Sequence, residues 1–282
     1  MVPQKCQHVN VNISELTLTP YITASLINEI IKGLIYQKCQ IPFPYSWLKT
    51  VVEKKRKCIE GNIKKRVNIT YENHFRMVST AYDTINLIMK GITKELSASD
   101  NVLEIIIIFG STPHCPKEIF TLNVPSVVKE HNEKNHITEL NKNLQKVLRQ
   151  IFLSQSWMDS IDCSVSCTNT YIYLKKKSTT SDHINSEIFE LCEPLEVSQN
   201  VRCSDISFNC KTSGSKTCCE VYISKDSDNN SEPIFKEPNP NCEQIVETPT
   251  NLNQKVTWCR SKNVFKGFKD IFVNKISVCE LW

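Results

Sequence analysis

The sequence predicts an α+β domain, and three observations lead to that class. The first is a short, strongly apolar run from Val102 to Phe109 that ends at a glycine. The second is a set of three segments whose apolar residues recur every three or four positions, which is typical of amphipathic helices. The third is a change to a period of two after Cys163, which is typical of strands. A sheet with helices packed against it accounts for all three.

Length and composition favour one domain. The chain has 282 residues, and we expect residues 1–20 to be an N-terminal tail or an edge strand and residues 21–282 to form the domain. The net charge is +4, with acidic residues interleaved among the lysines, so no nucleic-acid partner is expected. No window reaches the roughly 20 apolar residues that a membrane span requires, so no membrane partner is expected either.

The N-terminus carries no apolar core of the kind found in signal peptides. We therefore expect a soluble, intracellular protein. In that compartment the 14 cysteines would be reduced thiols, although a secreted protein with the same count would be expected to form disulfides.

The run from Val102 to Phe109 contains one polar residue, Glu104, and four consecutive isoleucines. Such a run predicts a strand that is buried on both faces. The glycine and the two prolines that follow predict a turn, after which an apolar segment from Ile119 to Leu122 predicts a second strand.

Three helices are predicted, at Ile22–Lys38, Tyr71–Leu96 and Asn135–Ser156. Gly33 weakens the first helix and indicates a close packing contact there. In the third helix Leu148 lies about 100° around the axis from the inward stripe, so it is either an apolar rim residue or core. Lys49–Lys65 is expected to be a solvated connection. Strands are expected at Ser164–Cys167, Thr170–Leu174, Glu187–Val197, Asp205–Cys210 and Cys218–Ser224, with a turn at Thr168-Asn169. The C-terminal part is expected to contain a mobile loop at 225–255, an ordered stretch at Lys255–Phe268 and a closing strand at Ile271–Trp282.

No catalytic, cofactor or metal site is predicted. The turn at Gly110-Ser111 lacks the further residues of a phosphate loop or a nucleophile elbow. The cysteines at Cys163 and Cys167, and the pair Cys218-Cys219, lack the C-x2-C spacing of a structural zinc site. The function is therefore expected to reside in surfaces and not in enzyme chemistry.

Several stretches, taken in order, resemble the comet family, whose members bind the spindle-checkpoint protein Mad-two. The most specific are the YQ-x4-P-x-PY pattern that begins at Tyr36 and the FKGF sequence at Phe265–Phe268. The segments from Ile105 to Phe120 and from Leu148 to Phe152 add to the match. The region 160–255 matches poorly.

The resemblance implies a HORMA-like fold, with three helices packed on one face of a mainly antiparallel sheet. It implies a non-enzymatic adaptor that binds the closed form of Mad-two. It also implies that a hexameric AAA+ ATPase uses the adaptor to remove Mad-two from the mitotic checkpoint complex, which silences the checkpoint. The expected location is the nucleus and cytoplasm, with spindle association in mitosis.

The resemblance also implies a set of partner-binding residues. The glutamine of the YQ motif corresponds to Gln37, and the large apolar residue of the third helix corresponds to Leu148, with Gln145 and Arg149 beside it. The Pro-Lys pair that the family presents to the ATPase is absent, because Leu191-Cys192 stands at that position.

An alternative function is an independent HORMA-type module that captures a peptide under its own C-terminal belt. The resemblance implies instead that the C-terminal segment fills the peptide position within its own fold. The segment around FKGF is the part of the chain on which these two expectations differ.

Overall fold

The computed structural model describes residues 6–13, 18–60, 69–98, 101–125, 133–178, 187–196, 201–209 and 255–281. Its helices are α1 (Pro20–Gln37), α2 (Tyr45–Glu60), α3 (Ile69–Ala98), α4 (Glu133–Phe152), α5 (Gln155–Ile161) and α6 (Val278–Leu281). Its strands are β1 (Cys6–Asn12), β2 (Val102–Thr112), β3 (Cys115–Asn123), β4 (Asn169–Lys177), β5 (Phe189–Cys192), β6 (Arg202–Asn209), β7 (Val256–Ser261), β8 (Phe265–Lys266), β9 (Phe272–Val273) and β10 (Ile276–Ser277).

The main sheet is mixed but mainly antiparallel. Its strand order is β1-β6-β3-β2-β4-β7-β5, and β8 pairs with the end of β4. The two parallel pairings are those of β6 with β1 and with β3. The strand β2 lies at the centre, where it pairs along its length with both β3 and β4. The prediction of an α+β fold is confirmed.

The helices cover one face of this sheet. Ile105, Ile107 and Phe109 of β2 belong to the same core cluster as the inward residues of α1, α3 and α4. The alternate residues Ile106 and Ile108 belong to a smaller cluster on the opposite face. Because side chains alternate along a strand, β2 supplies both clusters and is buried on both faces, as the sequence predicts.

Local chemistry explains where α1 begins and ends. Thr19 caps its N-terminus, since its hydroxyl accepts a 3.3 Å hydrogen bond from the Ile22 amide. Pro20 occupies the first turn, where its missing amide hydrogen costs nothing. At the other end Cys39 adopts a left-handed conformation with φ of 56°, which turns the chain away from the helix axis.

The three predicted helices are confirmed with small shifts of their ends. The third one ends at Phe152 instead of Ser156, because Ser154 caps a new helix, α5, by accepting a hydrogen bond from the Trp157 amide. The alternative of an edge strand at the N-terminus is also confirmed, since β1 pairs with β6 and buries Val9 and Val11.

Several sequence expectations are wrong. Most of Lys49–Lys65 is not a loose connection, because Tyr45–Glu60 forms α2 on the inward residues Leu48 and Val52. Ser164–Cys167 is not a strand, and Asn169 opens β4 instead of forming a turn. The strand predicted at Glu187–Val197 is limited to Phe189–Cys192, and the closing strand at Ile271–Trp282 is replaced by the hairpin β9–β10 and the short helix α6. The strand predicted at Cys218–Ser224 and the loop at 225–255 lie outside the described residues, except Lys255.

None of the helices in the described ranges combines the length and apolarity needed to cross a membrane.

Candidate partner-binding site

The end of α1 and the turn after it connect four parts of the fold. The side-chain oxygen of Gln37 accepts a 3.0 Å hydrogen bond from the indole nitrogen of Trp157 in α5. Trp157 is fully buried and packs beside Phe152, with ring centroids 5.2 Å apart. Gln37 is only partly buried. The predicted partner-binding glutamine therefore has a structural contact that the sequence analysis missed.

Lys38, the next residue, is fully buried. Its ammonium group lies 2.8 Å from the Glu118 carboxylate of β3 and also donates to the carbonyl oxygens of Ser160 and Cys163. Burial lowers the pKa of Lys38 and raises the pKa of Glu118, although the ion pair opposes both shifts. This pair fastens the start of the YQ-x4-P-x-PY motif to the central sheet.

Gln40 continues the network towards the C-terminal part of the chain. Its amide nitrogen donates to the carbonyl oxygens of Lys38 and Val165, and its amide oxygen accepts from the Thr168 backbone. Its own carbonyl oxygen accepts a 2.9 Å hydrogen bond from the Phe268 amide. These bonds replace strand pairing for the segment before β4, and this explains why Ser164–Cys167 is not a strand.

The FKGF segment is built into the fold. Phe265 and Phe268 are buried, and β8 pairs with the start of β4. A Cβ atom at Gly267 would lie 2.6 Å from the Gln40 amide oxygen and 3.0 Å from the Thr168 carbonyl oxygen, so this close approach requires glycine. The C-terminal stretch is thus an integral part of the core.

The apolar residues of the motif line a cleft of about 1030 Å³ between α1, α2 and the C-terminal stretch. Phe43 packs against Trp47 with ring centroids 4.1 Å apart and meets Phe268 edge to face. Tyr36, at the rim, is 41% exposed.

The helix α4 presents the other predicted residues. Val147 and Ile151 are buried, whereas Leu148 is only partly buried and packs at the edge of the main core. Gln145 and Arg149 beside it are exposed. A partly buried leucine with polar neighbours corresponds to the rim position, which is one of the two alternatives, rim or core, that the sequence left open.

A close contact between α1 and α4 brings the two sets of residues to neighbouring helices. A Cβ atom at Gly33 would lie 2.6 Å from the end of the Phe152 ring, so the predicted close packing at Gly33 is confirmed. Gln37 follows Gly33 by one helical turn, and Leu148 precedes Phe152 by one turn. The two candidate residues therefore lie on packed helices, on either side of this contact.

A comparison with protein families gives one match, over residues 22–172, to the p31comet family, described as "Mad1 and Cdc20-bound-Mad2 binding" (Mad2 is written Mad-two here). The match covers more than half of the 282 residues. The chain belongs to the p31comet family. The resemblance found in the sequence is thereby confirmed, and the description of the family names Mad-two binding as its function. A comparison with individual characterised proteins gave no significant match.

The p31comet match extends from α1 to the middle of β4 and includes the YQ-x4-P-x-PY motif and Leu148. It does not include FKGF or the position of the missing Pro-Lys pair. At that position Leu191, on the edge strand β5, is 61% exposed.

Three consecutive lysines, Lys175 to Lys177, end the strand β4 of this p31comet chain. They do not form one solvated face. Lys176 is buried and lies 2.5 Å from Glu95, and Lys175 pairs with Glu104 at 2.6 Å. Only Lys177 of the three is exposed.

Groups that could hold a metal ion occur at two places among the described residues of the p31comet chain. They lie away from α4, and neither contains residues of the predicted partner-binding set. The groups are Cys6, His8 and Asp205, and His74, Asp270 and Cys279.

Proposed function

We propose that this chain is a non-enzymatic adaptor with a HORMA-like fold that binds the closed form of Mad-two. It promotes removal of Mad-two from the mitotic checkpoint complex by a hexameric AAA+ ATPase, and so silences the checkpoint. Its location would be the nucleus and cytoplasm, with spindle association in mitosis. The observation that carries the proposal is the partly buried Leu148 on the outer flank of α4, in a chain that belongs to a Mad-two-binding family.

The flank of α4 has the composition of a protein-binding surface. Leu148 offers an apolar side chain at the edge of a rigid core, and Gln145 and Arg149 offer polar groups around it. An apolar anchor with a polar rim is the usual arrangement at the centre of an interface. Because α4 packs on α1 through the Gly33–Phe152 contact, this surface needs little rearrangement before it binds.

Gln37 supports the same surface in two ways. Its partly exposed side chain can reach a partner, and its hydrogen bond to Trp157 holds the segment after α4 against the end of α1. If Gln37→Ala weakened binding, the cause would therefore be ambiguous between the lost contact with the partner and the lost hydrogen bond to Trp157. Gln37→Glu separates the two, because a carboxylate still accepts the indole hydrogen bond.

The packing of the C-terminal stretch favours the adaptor over the alternative of peptide capture. Phe265 is fully buried, and both Gly267 and Phe268 donate backbone hydrogen bonds to the rest of the fold. A belt that opens to admit a peptide would have to break these contacts and expose two phenylalanines.

Selectivity for the closed form is the first test. The purified chain is mixed with Mad-two locked closed and with Mad-two locked open, and the two dissociation constants are measured by calorimetry. We expect binding to the closed form and at least tenfold weaker binding to the open form. Equal binding, or a preference for the open form, would show that the proposed class of function is wrong.

The site is tested with Leu148→Glu. A carboxylate in a contact that excludes water costs on the order of 2–4 kcal/mol, which weakens binding by roughly 30-fold to 800-fold. The matched control is Gln150→Glu, which places the same charge at an exposed position on the other flank of α4. Circular dichroism verifies that both variants are folded. If closed Mad-two still binds a folded variant that combines Leu148→Glu with Gln37→Ala, the assignment of the site is wrong.

The role of the ATPase is tested separately. The chain is added to checkpoint complex and ATPase, and the release of Mad-two is followed with ATP and with a non-hydrolysable analogue. We expect release that needs both the chain and ATP hydrolysis. If the chain binds closed Mad-two but does not accelerate release, it is a binding protein without the adaptor role, and the lost Pro-Lys pair at Leu191-Cys192 is the first place to seek the reason.

A further inference from the structure

We propose that His74, Asp270 and Cys279 form a zinc site that fastens the C-terminal hairpin to α3. One ligand atom from each of the three residues lies within 4.8 Å of the other two. His74 is 2% exposed and Cys279 is 5% exposed, so the group is largely shielded from water. Leu148, the central residue of the surface proposed to bind Mad-two, does not belong to this group, although Asp270 lines the same cleft as Gln37.

The three residues come from distant parts of the sequence. His74 lies in the second turn of α3, whereas Asp270 precedes β9 and Cys279 lies in α6. No regular spacing such as C-x2-C relates them, and so the sequence analysis did not identify them as ligands. Only the return of the chain across α3 brings them together.

The distances between the groups suit a tetrahedral zinc ion. The Cys279 sulfur lies 3.5 Å from a carboxylate oxygen of Asp270. Zinc bonds of about 2.3 Å to sulfur and about 2.1 Å to oxygen place these two atoms about 3.6 Å apart in a tetrahedron. The other two distances between ligand atoms are no more than 4.8 Å, which exceeds the tetrahedral spacing by at most about 1.2 Å.

Neighbouring backbone groups orient two of the ligands. The ring nitrogen Nε2 of His74 lies 3.4 Å from the carbonyl oxygen of Lys269, and in a zinc site this contact would hold the ring while Nδ1 serves as the ligand. The amide of Ile271 donates a 2.9 Å hydrogen bond to the Asp270 carboxylate. A thiolate, an imidazole and one carboxylate favour zinc over magnesium or calcium, which prefer sites built of oxygen ligands alone. Water would complete the fourth position.

The hairpin itself gives an independent reason for such a site. β9 and β10 are two residues each and form a separate sheet that does not pair with the main one. Their turn residues, Asn274 and Lys275, both have positive φ, as a tight hairpin of this type requires. An isolated two-stranded hairpin is marginally stable in water, and in this fold the buried Val278 directly after it supplies part of its attachment. A zinc ion between α3 and α6 would add to that attachment.

The second cluster, Cys6 with His8 and Asp205, serves as an internal control. His8 is exposed and the other two residues are only partly buried, so this group is far more accessible to water. We assign zinc to the buried cluster alone.

The test uses the full-length, reduced chain loaded with one equivalent of Co²⁺ in place of zinc. A cobalt ion bound by a thiolate shows a sulfur-to-metal charge-transfer band, and we expect this band in the unmodified chain. It should disappear in Cys279→Ser and lose most of its intensity in Asp270→Asn, whereas it should persist in the matched control Cys6→Ser. Addition of zinc should abolish the band and slow tryptic cleavage after Lys275.

Asp270 is only partly buried, so Asp270→Asn is expected to fold even if Cys279→Ser does not. If the unmodified chain shows no charge-transfer band, there is no thiolate–metal site. If the band persists in Asp270→Asn, or disappears only in Cys6→Ser, the buried cluster is not the ligand set. Either outcome would overturn the proposal.

Discussion

The buried pair of Lys38 and Glu118 is the most consequential contact at the scale of single residues. A buried ion pair contributes little net stability, because removal of both charges from water offsets most of their attraction. The loss of only one partner is different, since it leaves the other charge buried. The pair is close enough to the end of α1 that its geometry also sets the position of Gln37.

We predict that Lys38→Met lowers the free energy of unfolding by about 3–5 kcal/mol, because the Glu118 carboxylate loses its 2.8 Å partner. The double variant Lys38→Met/Glu118→Leu should be less destabilised than the sum of the two single variants, with a coupling energy of about 1–3 kcal/mol. Urea denaturation measures all three. Strict additivity would mean that the two charges do not interact in the folded protein.

At the scale of elements, the sequence correctly predicted the helices whose apolar residues recur at regular intervals. The helices α1, α3 and α4 each bury a stripe of apolar residues, and the sequence identified all three. It missed α2, because Leu48 and Val52 are the buried positions of that helix and two residues do not make a recognisable pattern. It wrongly assigned a strand at Ser164–Cys167, because no local pattern reveals that the Val165 carbonyl oxygen accepts a hydrogen bond from the Gln40 side chain.

The candidate site also has features that the sequence could predict and features that it could not. The angle between Leu148 and the inward stripe of α4 could be calculated from the helical repeat, and it predicts a position at the edge of the core. Leu148 is partly buried there. The contact of Gln37 with Trp157 joins residues 120 positions apart and depends on the packing of α5, so it could not be predicted. The ligands of the proposed zinc site were out of reach for the same reason.

The strand β1 provides the prediction at this scale. It lies at one edge of the main sheet, and Val9 is fully buried against the core while its neighbour Asn10 is exposed. Val9→Ala should therefore lower the free energy of unfolding by about 2 kcal/mol. Asn10→Ala should change it by less than about 0.5 kcal/mol. Thermal or urea denaturation distinguishes the two, and equal, negligible effects would mean that residues 6–12 behave as a loose tail.

At the scale of the whole molecule, the sheet is assembled from both ends of the chain. The segment that matches the p31comet family, residues 22–172, supplies the central strands β3 and β2 and residues 169–172 of β4. The flanking strands β1, β6, β7 and β5 lie outside it, and so do the buried residues Ile206 and Phe265. The family-matching segment thus carries the proposed partner surface but not the complete core.

We predict that a fragment of residues 22–172 does not fold cooperatively. Without its flanking strands it would expose the edges of β3 and β4, and unpaired, apolar edges lead to association between chains. It would also lose the backbone acceptor and donor pairs that join Gln40 to Phe268 and Thr168 to Gly267. The full chain should show a single sigmoidal unfolding transition followed by circular dichroism, whereas the fragment should show none and elute as aggregates in size-exclusion chromatography. A monomeric fragment with a sigmoidal transition would mean that the flanking strands are additions to a self-sufficient domain, and the binding test with Leu148→Glu could then be repeated on that fragment alone.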